Sequence, residues 1–180
     1  SPSGGIERKM LERDGDEVAR ATTVVRFAPG SSFPEHEHGG GEEFLVLEGT
    51  FSDETGDFPV GTYVRNPKGT AHAPSSKDGC TIFVKLRQFQ DDDDKRVVID
   101  TNTAEWQAYK AEGVTFLPLH RHGEEFVRLC RYAPGARFPY HKHPRGEEVF
   151  VLDGALRDEG GIYPAGTWVR FPHGSDHCPF

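Results

Sequence analysis

More than half of this chain consists of one segment and its copy, and that repeat constrains the fold more than any other feature. Residues 26–74 align with residues 131–179 without a gap, at a constant offset of 105. Ala28, Pro29 and Gly30 return as Ala133, Pro134 and Gly135, and Phe33 and Pro34 return as Phe138 and Pro139. Every Gly and Pro between positions 59 and 74 has its counterpart. Upstream the match weakens: Gly5 and Ile6 stand against Gly113 and Val114 at an offset of 108, so the first copy holds about three extra residues near 19–23. Such a period is far too long for a solenoid unit and is the size of a small domain. The chain therefore reads as a duplicated domain, 1–90 followed by 96–180.

Each copy is patterned for β structure. Residues 43–48 and 148–153 are short apolar runs that stop at Gly49 and Gly154, as buried strands do. Residues 21–27, 62–65 and 81–86 are rich in β-branched or aromatic side chains and bounded by turn residues. The 21 glycines and 13 prolines are spread evenly, which suits many short strands in a sandwich or small barrel. Only residues 104–111 suggest a short helix or turn. Between the copies, Asp91, Asp92, Asp93 and Asp94 repel one another, which predicts a hydrated loop and a domain boundary.

Composition excludes several classes of function. A net charge of −8 disfavours nucleic acid or an anionic membrane surface as partner. No apolar run approaches the roughly 20 residues that span a bilayer. Cys80, Cys130 and Cys178 form neither a disulfide framework nor a zinc knuckle. Residues 1–9 lack the apolar core of a signal peptide, so a reducing cytoplasm is the expected compartment.

The histidines carry the chemistry. His36 and His38 recur as His141 and His143, and His-x-His on a strand puts both imidazoles on one face. Four residues past each pair stands a carboxylate, Glu42 or Glu147, and a third histidine follows, His72 or His177. Each copy thus offers three imidazole nitrogens and one carboxylate oxygen, a set suited to Zn, Fe, Mn, Ni or Co. The connecting residues differ between copies while these four do not, which argues for one divalent transition metal per domain, with zinc favoured. A second His-x-His, His120 and His122, has no counterpart and reads as surface histidine. Arg26 and Arg131, and Arg65 and Arg170, read as surface partners for Glu43 and Glu148 or Asp53 and Asp158. Phe33, Phe138, Tyr63 and Trp168 read as barrel filling.

These residues resemble the cupin superfamily. Its first motif runs Gly, five residues, His-x-His, three or four residues, Glu, six residues, Gly; Gly30, His36, His38, Glu42 and Gly49 fit it, as do Gly135, His141, His143, Glu147 and Gly154. Its second motif is matched by Gly61, Pro67, Gly69 and His72 and by Gly166, Pro172, Gly174 and His177, with Ser76 where the final Asn belongs. The resemblance implies an all-β architecture of two tandem double-stranded β-helix (jelly-roll) domains, with metal inside each barrel. More narrowly, the wording around Arg26 to His38 and Gly61 to Arg65 resembles the cupin half of ChrR-type anti-sigma factors. That implies a sensory or regulatory domain answering a small ligand or an oxidant. In that family a separate His/Cys zinc domain binds the sigma factor, and that cluster is missing here, so the resemblance gives this segment no sigma-factor surface.

Two other readings stay open, a cupin dioxygenase or isomerase and a structural bicupin of the seed-storage kind; the intact ligand sets disfavour the latter. A small-molecule ligand and homo-oligomers are both compatible with the sequence. Laying one copy on the other also gives the expectation of segments lost from both ends. The first copy continues through an apolar run at 80–86 that has no equivalent after Phe180, while residues 97–101 and Trp106 have none before Ser1.

Overall fold

The computed structural model describes residues 4–16 and 18–180. Regular structure among them is β throughout, in two units: Ser1–Ala104 with Leu119–Phe126, and Glu105–Pro118 with Val127–Phe180. No helix among the described residues is long and apolar enough to cross a membrane.

The first unit opens with a hairpin of β1 (Ile6–Asp14) and β2 (Arg20–Phe27). Four short elements follow around one long one: β3 (Ser31–Ser32), β4 (His36–Glu37), β5 (Glu42–Asp53), β6 (Gly56–Pro59) and β7 (Thr62–Asn66). The unit continues with β8 (Ala71–His72), β9 (Ser75–Ser76), β10 (Cys80–Leu86) and, from beyond the first copy, β11 (Val97–Asp100). The main sheet runs β1-β2-β10-β5-β7-β11. Thus β11 lies antiparallel to β7, Val97 opposite Arg65, within the first unit. The period-two pattern sends alternate side chains inward. Val25 and Phe27 on β2, Phe44, Val46 and Phe51 on β5, and Ile82 and Val84 on β10 make one buried cluster. Phe27 and Phe51 meet edge to face at 5.7 Å, a geometry that adds to simple burial. Each of these side chains contributes roughly 1.5–3 kcal/mol by leaving water.

The second unit repeats the plan in shorter pieces. They are β12 (Gln107–Ala108), β13 (Val114–His122), β14 (Glu125–Tyr132), β15 (His141–His143) and β16 (Glu147–Phe150). Then come β17 (Ala155–Asp158), β18 (Gly161–Pro164), β19 (Trp168–Phe171) and β20 (Ser175–His177). Where β5 runs unbroken for 12 residues, its copy is divided into β16 and β17. The physical difference is the neighbour: β10 pairs along β5 from Cys80 opposite Gly49 to Leu86 opposite Glu42, and no strand among the described residues does this for β16 and β17.

Of the short helix or turn expected at 104–111, the helix does not form; bends and the short strand β12, paired to β13 through Gln107 and Phe116, occupy that stretch. The surface readings of Arg65 and His120 are also corrected. Arg65 is 1% exposed, donates to Glu43 at 2.7 Å and to Asp93, and lies 3.6 Å over the Phe89 ring. Tyr63 donates to the same Glu43 carboxylate at 2.5 Å, and His120 bonds Asp93 at 2.8 Å. One member of the acidic run is therefore buried as the counter-ion of Arg65 and the hydrogen-bond partner of His120, while Asp91 and Asp92 stay exposed. A buried guanidinium demands such partners, because an unpaired buried charge costs several kcal/mol.

Candidate metal centres

In both units the ligand ribbon is a pair of short antiparallel strands. His36 on β4 stands directly opposite His72 on β8, and His141 on β15 stands directly opposite His177 on β20. His38 lies two residues past His36, on the same face. A tight turn then returns the chain: Gly41 donates to the His38 carbonyl at 3.2 Å, and Gly146 to that of His143 at 3.0 Å. Both glycines have positive φ, 80° and 84°, a conformation in which a side chain is strained. The turn delivers Glu42 and Glu147 beneath the imidazoles.

The four predicted residues of each copy converge. One ligand atom from each of His36, His38, Glu42 and His72 lies within 4.8 Å of the others, and so does one from each of His141, His143, Glu147 and His177. The Glu42 oxygen sits 3.6 Å from His38 Nε2 and 3.4 Å from His72 Nε2. In the second cluster the matching separations are 3.5 and 3.6 Å. These are too long for hydrogen bonds. Donors about 2.1 Å from a shared cation in tetrahedral array lie about 3.4 Å apart, which is this spacing. His38 Nε2, Glu42 Oε1, His143 Nε2 and His177 Nε2 are buried without a hydrogen-bond partner. Buried polar atoms are rarely left so, and a cation at the centre of each cluster satisfies them all. The donor sets fit a divalent transition metal, one in each half.

Five of the six Nδ1 atoms have hydrogen-bond partners, which aims the opposite Nε2 atoms inward. His36 Nδ1 donates to the Pro34 carbonyl at 3.1 Å and His141 Nδ1 to that of Pro139 at 3.0 Å. Thr70 gives its hydroxyl hydrogen to Pro67, so its oxygen accepts from His38 Nδ1 at 2.9 Å. His72 Nδ1 meets Asp53 Oδ2 at 3.2 Å, and His177 Nδ1 meets Asp158 Oδ2 at 3.0 Å. These aspartates end β5 and β17 and are fixed by their hairpin turns: Thr55 donates to Asp53, and Gly160, Gly161 and Tyr163 donate to Asp158. Carboxylates behind ligand imidazoles fix ring orientation and raise ligand basicity. From sequence, Asp53 and Asp158 read only as alternatives to Glu43 and Glu148 for pairing with surface arginines; in the structure they face His72 and His177 instead. The signal that identifies them is their own 105-residue pairing, carried with the ligands.

Burial tunes the groups. Desolvation, helped by the neighbouring His72, holds His38 down at about 4, and desolvation holds the Glu42 carboxyl up at about 7. Desolvation likewise lowers His72 and His141, lowers His143 to about 4 and raises Glu147. Burial thus favours the neutral form of His38, His72, His141 and His143, the form that ligates. The two centres also differ. Asn66 hydrogen-bonds Glu42, whereas its counterpart Phe171 packs 4.3 Å from His177. Thr23 is replaced by Arg128, whose charge acts on Glu147 and both His141 and His143.

Two β-barrel units, each carrying three histidines and a glutamate in converging positions, define a bicupin. The chain belongs to the family of the ChrR cupin-like domain, whose model matches residues 1–90 and again 94–180. It is 33% identical over 76 residues to the anti-sigma-E factor ChrR of Cereibacter sphaeroides, a match covering 42% of this chain and 34% of that protein. The matched region is thus about a third of that relative's length. Among solved structures it is similar to a putative dioxygenase from Nostoc punctiforme, with a TM-score of 0.81 at 14% identity over 97% of this chain and 68% of that one. It is also similar to a putative glyoxylate-induced protein from Pseudomonas aeruginosa, with a TM-score of 0.76 at 13% identity over 98% and 76% of the two chains. These likenesses establish the fold.

Proposed function

We propose that this chain is a metal-dependent sensory or regulatory bicupin, holding one divalent metal in each barrel through His36, His38, Glu42 and His72 and through His141, His143, Glu147 and His177. Zinc is the favoured metal for such a role. When bound, the metal supplies a Lewis-acidic centre that a small ligand or an oxidant can reach. The observation that carries this reading is the convergence of three histidines and a glutamate in each half, with His38 Nε2 and Glu42 Oε1 in the first and His143 Nε2 and His177 Nε2 in the second buried without a partner. The likeness to an anti-sigma factor supports a regulatory role, with any sigma-factor contact made by a domain outside this segment. The residues themselves respond by a shift in population: a ligand that favours one arrangement of the β4–β8 ribbon stabilises that arrangement and whatever it is joined to.

A second reading, a cupin metalloenzyme, is favoured by one observation: the first cluster opens onto a cavity of about 350 Å³. Elemental analysis of protein purified without added metal, with oxygen uptake of the ferrous form on phenolic and diketone substrates, separates the two. Zinc near two per chain and no oxygen uptake by the iron-loaded form is the expected result. Native iron with turnover of any such substrate overturns the sensory reading in favour of the enzyme.

A further inference from the structure

The cavity beside the first cluster has a composition that the metal ligands do not explain. Its floor is the ligand set His36, His38, Glu42 and His72. Its wall is apolar, from Val25 and Phe27 on β2, Phe51 on β5, and Ile82 and Val84 on β10. Ala19 and Ala21 keep the space open, since both are small, buried and on the lining. At the exposed mouth stand Arg8, Arg13 and Arg87, in a chain whose net charge is −8, with Glu37 as the mouth's acidic residue. Among the described residues none of these arginines is paired with a carboxylate: Arg8 lies 5.2 Å over the Phe33 ring, and Arg13 donates to the Asp16 carbonyl.

Arg87 is held at the mouth at a cost. It is the one non-glycine among the described residues with positive φ, at 58°, a conformation that costs on the order of 1–3 kcal/mol. Its backbone is fixed by donation to the Gly41 carbonyl at 2.9 Å. Its side chain crosses the Gly39–Gly40 backbone so closely that a Cβ on Gly40 would lie 2.7 Å from the Arg87 Cβ. The second copy has Pro144 and Arg145 where Gly39 and Gly40 stand, and so lacks this cradle. Strain of this kind persists where surrounding structure enforces it, often at ligand sites.

We infer that the first barrel binds a small organic anion, a monocarboxylate with an apolar body of roughly six to ten carbons, whose body lies against the β2–β5–β10 wall and whose carboxylate meets Arg87 and Arg8. A cavity of about 350 Å³ is at the small end of ligand pockets, which sets the size. The apolar wall rejects a ligand that is polar throughout, and the arginines reject a neutral or cationic head. This deepens the sensory reading by naming the class of ligand; it rests on that reading only for its role, since arginines and wall hold the anion whether or not metal is bound.

The test is calorimetric titration of the zinc-loaded chain with octanoate, acetate and 1-octanol, with metal content measured on the same samples. Octanoate is expected to bind at least tenfold more tightly than acetate or the alcohol. The double variant Arg8→Gln/Arg87→Gln should weaken octanoate at least tenfold while metal content and melting temperature stay at wild-type values. Ala21→Leu, which fills the cavity from the wall, should weaken octanoate with both arginines intact. Equal binding of octanoate and octanol, octanoate affinity unmoved in the arginine variant, or no binding at millimolar octanoate would each overturn the inference. Failure of the wild-type chain to bind octanoate while it holds its metal sinks this inference and leaves the metal reading standing; octanoate binding by a wild-type chain that takes up no metal does the reverse.

Discussion

At the scale of single residues, the two centres are built by aiming nitrogen atoms. Each cluster needs its Nε2 atoms free and inward, and the Nδ1 contacts to carbonyls, to Thr70 and to the two aspartates achieve this. Asp53→Ala should therefore weaken metal at the first centre by roughly 10–100-fold and leave the second unchanged, with Asp158→Ala doing the opposite. Competition against a chromogenic chelator reads both; unchanged affinity in either variant would remove the aspartates from the account. Protons report on the same site. With Glu42 near 7 and His38 near 4, at pH 6 the carboxyl carries a proton and that imidazole does not. Metal takes the deprotonated carboxylate, so binding at pH 6 displaces a proton from Glu42 and none from His38. Affinity at the first centre, isolated in His141→Ala, should rise by up to about tenfold per pH unit towards 7 from this group, and the rise should flatten above it. A flat profile between pH 5.5 and 7 would contradict the burial of Glu42. All eight residues of the two clusters were legible in the sequence because duplication repeats them unchanged. The aspartates were not, because an Asp at the end of a strand looks like any turn residue until the fold brings it to a histidine.

Among the elements, the long strand β5 carries the first barrel, and its register depends on one glycine. Gly49 has φ of 70°, and a Cβ there would lie 2.0 Å from the Gly79 carbonyl oxygen on the neighbouring turn. Its copy Gly154 also has positive φ, 65°, with nothing within 4 Å. The repeat thus offers a matched pair. Gly49→Ala should destabilise by roughly 2–4 kcal/mol, steric clash added to backbone strain, and Gly154→Ala by only about 1 kcal/mol. Urea denaturation followed by far-ultraviolet circular dichroism measures both, and equal losses would show that β10 does not approach β5 as described. The strands at 21–27, 43–48, 62–65 and 81–86 were readable because period-two burial and bounding turns coincide there. At 104–111, where a short helix or turn was legible, bends and a strand form because short local preference is overridden by pairing, here of Gln107 with Phe116. Asp93 was misread for a related reason. Four adjacent aspartates look hydrated, and only the fold shows one of them buried against Arg65 and His120.

For the whole molecule, the duplication makes two centres that share a plan and differ in surroundings. The first has an apolar cavity, an arginine mouth and Asn66 on its glutamate; the second has Phe171 against its histidines and Arg128 close to its glutamate. The fold and the two three-histidine, one-glutamate clusters follow from the repeat alone, whereas this divergence lies in the mismatched positions and takes meaning only once they are placed around a centre. The account requires two metal ions per chain, one in each barrel. Elemental analysis of wild type, His36→Ala, His141→Ala and the double variant, each purified and dialysed alike, tests that directly. The prediction is two, one, one and none. Metal retained at wild-type level in His36→Ala/His141→Ala, with all four proteins folded by circular dichroism, would contradict it.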